Sequence, residues 1–310
     1  MQISKISFSA PIMREQKSQN IAFGNTQHKT NDFYFSKASA DALKTIALAK
    51  NVEYREKPCL PESSTKAAKL NSKITDFQHQ SEDVGGWALD QISGLYNESS
   101  SLYSTCSDIL DELKDLNDLG LKNKNYIYKI DENNSGVLSG NIIVDDIGMI
   151  QVKVKFKNTD DGPVINSIRY KDKNGQIRAF VYKNGDVSAI NIGESKTNIG
   201  NKKIKERYVI SEDGKLASYA KDITKSKDKT KMKNLVFFKN EDRIDKYMKD
   251  VSVDKKTQNT HCKQFLSSDF GALSQAYAED VIIQNGRLNA NKIYVLEYGF
   301  LKSELKKIKN

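Results

Sequence analysis

The chain of 310 residues carries 49 lysines and arginines against 40 aspartates and glutamates, a formal net charge of +9, and 38 % of it is hydrophobic. That is enough apolar side chain to bury a core, which excludes a disordered chain; no run approaches the roughly 18 apolar residues of a membrane span, and the first thirty residues lack the apolar stretch of a secretory signal. The default expectation is a cytoplasmic protein without a transmembrane segment, its three scattered cysteines (Cys59, Cys106, Cys262) read as free thiols because they fit neither a disulfide framework nor CxxC metal spacing.

The sign of the charge does not by itself point to nucleic acid. Only Arg14, Arg55, Arg169, Arg178, Arg207, Arg243 and Arg287 are arginines, the usual readers of bases and phosphates; the remaining cations are lysines. Their distribution is more informative. Residues 1–80 carry 12 basic and 7 acidic groups, residues 81–120 one and 9, and residues 121–310 36 and 24, so an acidic block separates two basic ones.

In chain order, residues 1–35 show no sustained period and read as a flexible tail with small apolar islands. A short helix is expected over Ser39–Lys50. Pro58 and Pro61 then frame a linker, since each fixes φ and removes a backbone donor. Ala67, Leu70, Ile74 and Phe77, spaced 3, 4 and 3, predict a second helix. The strongest helical signal lies between Gly86 and Gly120, where Ile92, Leu95, Ser99, Leu102, Cys106, Ile109, Leu113 and Leu116 alternate spacings of 3 and 4. Tyr96, Tyr103 and Leu110 widen that stripe, which favours packing on a domain over a coiled-coil seam, and Gly120 is placed to end the helix. Its carboxylates Asp108, Asp111, Glu112, Asp115 and Asp118 are expected to flank or face a sheet of opposite charge.

From Tyr126 the period becomes two. Ile150, Val152, Val154 and Phe156 alternate with Gln151, Lys153, Lys155 and Lys157, the pattern of an antiparallel strand with one face in a core and one in water. Turn signals recur at Asn134-Ser-Gly136, Asp161-Gly162, Asn174-Gly175, Asn184-Gly185, Asp213-Gly214 and Asn285-Gly286. The strand from Gln176 to Lys183, between two Lys-Asn-Gly tripeptides, has apolar residues on both faces and belongs centrally in a sheet. The run from Asp213 to Ile223 aligns with Glu241 to Val251 at an offset of 28, matching Tyr219 to Tyr247 and Lys221-Asp222 to Lys249-Asp250. The repeating unit is a β-hairpin. A short helix near Asp269–Ala278, an edge strand over Lys292–Leu296 and a basic helix over Leu301–Lys309 are expected to close the chain.

Over residues 165–255 the rhythm of a tyrosine, an Asn-Gly or Asp-Gly turn and a branched apolar residue resembles the MORN-type hairpin repeats. That resemblance implies an elongated β-meander used as a scaffold, for protein contacts or at membranes, and names no substrate. The N-I-A-F-G element at 20–24 resembles the leaders of uncharacterised proteins of gut bacteria related to cyanobacteria.

Candidate chemistry is thin. Asp131 to Ile142 begins like a calcium loop, but Ile142 stands where the clamping carboxylate belongs, so a polar hairpin loop is expected. His261-Cys262 cannot form a nucleophile and base, because neighbouring side chains diverge; His79 is the distant alternative. Asp145-Asp146 and Asp160-Asp161 sit in turns, and Trp87 reads as a core anchor. No catalytic, cofactor or metal residue is assigned. The expectation is an α+β protein: a tail (1–35), a helical region (36–120) with its linker near 58–61, and an antiparallel meander of eight to ten strands with short C-terminal helices (121–310), packed on the long helix. Its function is read as non-enzymatic binding or scaffolding, monomeric, with Lys153, Lys155 and Lys157 contacting an acidic protein or surface. Two alternatives stand beside it: a carrier of lipid or a small apolar ligand between sheet and helix, and a hydrolase.

Overall fold

The structure, a computed structural model, describes residues 46–58, 64–171, 177–192, 202–239, 243–268 and 274–308, all within one compact unit, residues 35–310. The expected tail, the expected linker from Cys59 to Pro61, and the first Lys-Asn-Gly turn lie outside the described residues; Pro58, expected to open that linker, is the last residue of a strand. The helix α1 (Thr65–Asp118) is 54 residues long, about 80 Å at 1.5 Å per residue. It fuses the two segments that Gly85-Gly86 separate in the sequence. Ser64 caps its start, accepting the Ala67 N–H at 3.2 Å. Gly120 closes it in the left-handed region (φ 72°), with its N–H on the Asn117 carbonyl and the Leu121 N–H on that of Leu116.

Two short strands precede the helix, β1 (Ala47–Leu48) and β2 (Tyr54–Pro58). The expected helix over Ser39–Lys50 is thus replaced, in its described part, by extended chain, because Ala47 and Leu48 pair in parallel with Arg287 and Leu288. After α1 come β3 (Tyr126–Ile130), β4 (Ser135–Val144), β5 (Gly148–Thr159), β6 (Gly162–Lys171), β7 (Ile177–Lys183), β8 (Asp186–Ile192), β9 (Lys202–Ile210), β10 (Leu216–Lys225) and β11 (Lys229–Lys239). Then follow β12 (Arg243–Asp254), β13 (Thr260–Ser267), β14 (Ser274–Gln284), β15 (Arg287–Asn289), β16 (Lys292–Glu297) and β17 (Phe300–Lys307). The described residues form one sheet of 17 strands. From β3 to β14 each strand pairs antiparallel with the next; β15 and β16 both lie beside β14, and β17 joins β16 to β2. Asn184-Gly185 and Asn285-Gly286 make two of the hairpin turns with φ positive at both residues, as a type I′ turn requires.

In their described parts, the expected short C-terminal helices are strands instead. Residues 274–278 pair with Ile293–Glu297, and residues 300–307 pair with β16 on one side and β2 on the other. Leu301, Ser303 and Leu305 also satisfy a period of two, and residues 303–306 are paired on both sides, so ladders take the place of a helix's internal bonds there.

The helix lies across the strands. Its first turns pack Phe77 between Tyr247 and Tyr277, with ring centroids 4.7 and 5.6 Å away. Gly85 meets β12: a Cβ there would stand 2.5 Å from the tip of the Ile244 side chain, so a larger residue would require Ile244 to shift. Further along, Tyr103 meets Tyr182 edge-on at 4.9 Å. One continuous core runs from Ile74 and Phe77 through Leu102, Cys106 and Leu113 to Leu138, Val154 and Phe156. Large apolar side chains buried in this way contribute about 1.5–3 kcal/mol each.

The sheet's two faces differ along its width. On the helix side a cross-strand row runs Tyr128, Leu138, Val154, Ile168, Phe180, Ala189, Tyr208, Tyr219, Val236, Tyr247, Leu266, Tyr277. One residue over, on the opposite face, the row runs Ser139, Lys153, Arg169, Ala179, Ile190, Arg207, Ala220, Leu235, Met248, Phe265, Ala278, Ile293. Lys153 and Arg169 are exposed, whereas from Ala179 onward every member of that row is buried. As expected, β7 therefore has apolar residues buried on both sides, Ala179 on one and Phe180 on the other.

Candidate binding face

The surface outward from α1 on β3–β6 is built by strict alternation. In β5, Ile150, Val152, Val154 and Phe156 are buried, so Gln151, Lys153, Lys155 and Lys157 must point to water, and all four are exposed. The register brings further cations beside them. Arg169 is directly opposite Lys153, Lys171 is opposite Gln151, and Lys129 stands two strands from Lys155 with Val137 between. Among the described residues none of these cations has a carboxylate within ion-pair distance. The remaining outward positions are Ser135, Ser139, Asn141 and Ser167, with Ile127, Val137, Ile143, Met149 and Val164. Outward side chains recur about every 6.8 Å along a strand and face a neighbour at about 5 Å across it. Like charges set directly opposite cost stability, so Lys153 against Arg169 is a local expense that packing does not explain.

The helix side of the sheet has a different electrostatic character. Glu98 of α1, side chain largely buried, accepts from the Tyr170 hydroxyl and pairs with Arg178. Glu206 accepts from Tyr219 at 2.8 Å, and Asn234 accepts from Tyr247 at 2.9 Å. Tyr277 donates to Glu279 at 2.6 Å, and Tyr182 to the Ser99 carbonyl at 3.1 Å. Burial pushes these phenols up, Tyr247 to about 12 and Tyr182, Tyr208, Tyr219 and Tyr277 further. Each is a neutral, satisfied core group. The helix carboxylates expected to flank or face the sheet, Asp108, Asp111, Glu112, Asp115 and Asp118, are exposed, Asp111 near Gly162; Glu98 is the helix carboxylate that bonds to Tyr170 and Arg178 of the sheet.

The other sequence candidates resolve into structural roles. Asp131 accepts the backbone N–H of Asn133 and of Ser135, both at 2.9 Å, and so holds its own hairpin turn. His261 and Cys262 point to opposite faces of β13, the first exposed and the second buried. Burial raises the Cys262 thiol far above its ordinary value and pushes Cys106 up to about 12, the reverse of an activated nucleophile. His79 pairs with Glu82 at 3.3 Å on α1, both well exposed. Trp87 is not a core anchor: it is 49 % exposed. An open cleft of about 420 Å³ lies beside Gly85 and Gly86, lined by Gln78, Glu82, Arg243, Asp245 and Gln275 among others. Among the described residues no cluster of His, Cys, Asp or Glu is arranged to hold a metal ion, and no helix is long and apolar enough to cross a membrane.

Sequence reasoning found Lys153, Lys155 and Lys157 and missed Lys129, Arg169, Lys171, Ile143 and Met149. The alternation of Ile168 and Tyr170 with Arg169 and Lys171 was a usable signal; that these residues share a face with β5 depends on register. It also missed a third copy of the tyrosine repeat. Tyr277-Ala-Glu-Asp-Val281 follows Tyr247-Met-Lys-Asp-Val251 by 30 residues, and Asp222, Asp250 and Asp280 all adopt positive φ, 50° to 53°. No model of a known protein family matches the chain, and no curated protein matches it.

Proposed function

We propose that this protein is a non-enzymatic binding module whose outward face of β3–β6, centred on Lys153, Lys155 and Lys157, contacts an acidic partner or surface, the scaffold-like use that its resemblance to MORN-type meanders implies. The observation that carries the reading is the positive face itself, whose cations have no ion-pair partner among the described residues: Lys153 opposes Arg169, Lys155 and Lys171 lie nearby, and no carboxylate occupies an outward position on these strands. Packing does not require it, and an anionic partner would turn the repulsion into attraction. Carriage of an apolar ligand is less well supported, since α1 and its side chains fill the sheet face that a carrier would keep hollow.

The test compares two charge reversals of equal size. Lys153→Glu/Lys155→Glu/Lys157→Glu alters the proposed face, and Lys229→Glu/Lys231→Glu/Lys233→Glu alters three equally exposed, alternating lysines of β11. On an immobilised polyglutamate matrix the β5 variant elutes at clearly lower salt than the parent, and the β11 variant close to it. Equal displacement of both variants would show a general charge effect and remove the site.

A further inference from the structure

We infer that the cleft beside Gly85 and Gly86 is a second binding site, which takes a small aliphatic zwitterion of dipeptide length. The ammonium end of the ligand meets Asp245, its carboxylate meets Arg243, and its aliphatic body lies on Leu89, Ile244 and Leu266. The site is separate from the basic face and stands without it. At about 420 Å³ the cleft falls within the range of roughly 300–1,000 Å³ that small-molecule sites occupy, and like them it joins apolar walls to a few polar groups.

Three features of the cleft point to a ligand. Asp245 is the first: its side chain is 9 % exposed, one carboxylate oxygen pairs with Lys246, and the other, Oδ1, is buried with no hydrogen-bond partner. A buried acceptor without a donor lowers stability, and a donor on a ligand would satisfy it. The second is a β-bulge. Phe237 pairs with Lys246 and Phe238 with Ile244, so Asp245 is an extra residue between two ladder partners. The irregularity lets the consecutive residues Ile244 and Asp245 line one cleft, and the Ser268 N–H ties it down by bonding the Asp245 carbonyl at 2.8 Å. The third is Gly86. Gly85 lies against Ile244, but a Cβ on Gly86 would meet nothing within 4 Å. Glycine inside a helix lowers stability, and packing gives no reason for this one; its missing side chain leaves the cleft open.

The charges select the ligand. Arg243 is exposed and has no ion-pair partner among the described residues. It stands two residues from Asp245, about 7 Å along the strand, which is also about the span of two extended residues between the charged ends of a dipeptide. Glu82 of α1 lines the cleft as well, bonded to His79. Among the described residues the ionic groups are therefore Glu82 and Asp245 against Arg243 and Lys246, two of each sign. A ligand with net charge would add an uncompensated ion to this set, whereas a zwitterion brings one of each sign.

Isothermal titration calorimetry of the full chain with leucyl-leucine tests the inference, beside N-acetyl-leucyl-leucine, which lacks the ammonium, and leucyl-leucinamide, which lacks the carboxylate. The dipeptide binds, and each capped form binds about tenfold more weakly or worse, as the loss of a hydrogen bond between charged groups predicts. Arg243→Gln lowers the affinity for the dipeptide to that of the amide and leaves the amide unchanged, a split that general damage to the fold would not give. Gly86→Leu fills the cleft, so binding is lost while the urea midpoint holds or rises, because leucine is the better helix former. No heat with the dipeptide, capped forms that bind as tightly as it does, or full binding by Gly86→Leu would each overturn the site.

Discussion

Strands β3–β6 and strands β7–β14 belong to one sheet, share one helix and follow the same alternation, yet they treat their second face in opposite ways. In the row that runs through Lys153 on the outward face, Lys153 and Arg169 are cations in water, while Leu235, Met248 and Phe265 further along are at most 1 % exposed. A meander carries no intrinsic rule that both halves be equally buried. Each strand obeys its own local period, and the burial of a face is set by what the tertiary structure lays over it. What the difference teaches is that the exposed half is the part of the sheet free to carry function, and the doubly buried half the part that supplies stability.

The largest expected effect contrasts two positions on that one face. Phe265→Ala should cost about 3–5 kcal/mol as a cavity in the doubly buried half, whereas Lys155→Ala should stay within about 0.5 kcal/mol. Urea unfolding midpoints measure both, and comparable losses would mean that the two halves are not different after all.

Alkaline stability comes next. Cys106, Cys262, Tyr182, Tyr208, Tyr219, Tyr247 and Tyr277 are all raised by burial, and they sit on α1 and between β7 and β14. The native state keeps protons that the unfolded chain releases from about pH 9 upward for the thiols and about 10 for the phenols. Their contribution is therefore complete below pH 9 and declines as the pH rises beyond it. Denaturant midpoints should be flat up to that point and then fall, with tyrosinate absorbance appearing together with unfolding; phenols that titrate while the fold persists would contradict their burial.

A smaller effect probes the repeat. Asp250 is left-handed (φ 52°), so Asp250→Val should cost about 1–2 kcal/mol, while Asp250→Gly should be close to neutral. The smallest concerns the basic face: Lys153→Glu replaces a like-charged pair with Arg169 by an attractive one and should raise stability by about 0.2–1 kcal/mol. A gain in stability accompanied by a loss of binding would place the cost of the face where its function is.

Most of the exposed half was legible from the residues. Ile150 to Lys157 alternates without interruption, and turn dipeptides mark several of the hairpins around it. The buried half was harder to read. In Tyr277-Ala-Glu-Asp-Val281 alanine and glutamate carry weak strand preference, and the flanking segment suggested a helix, so the third repeat was hidden by local propensity that the ladders to β13 and β16 override. Gly85-Gly86 looked like a break between helices for the same reason. Read locally, glycine weakens a helix; in the fold the helix runs through Gly85, which lies against the Ile244 side chain.

The sequence by itself determined the amphipathic stripe of α1 and its glycine stop, the change of period at Tyr126, several of the hairpin turns, and the outward direction of Lys153, Lys155 and Lys157, because each depends on contacts between residues a few positions apart. The tertiary structure alone decided that α1 is a single helix, that the C-terminal segments are strands, that Glu98 meets Tyr170 and Arg178, and that Arg169 stands opposite Lys153. Those outcomes depend on register and on packing between residues far apart in the chain, where alternation shows which side a residue takes and not which residue it meets.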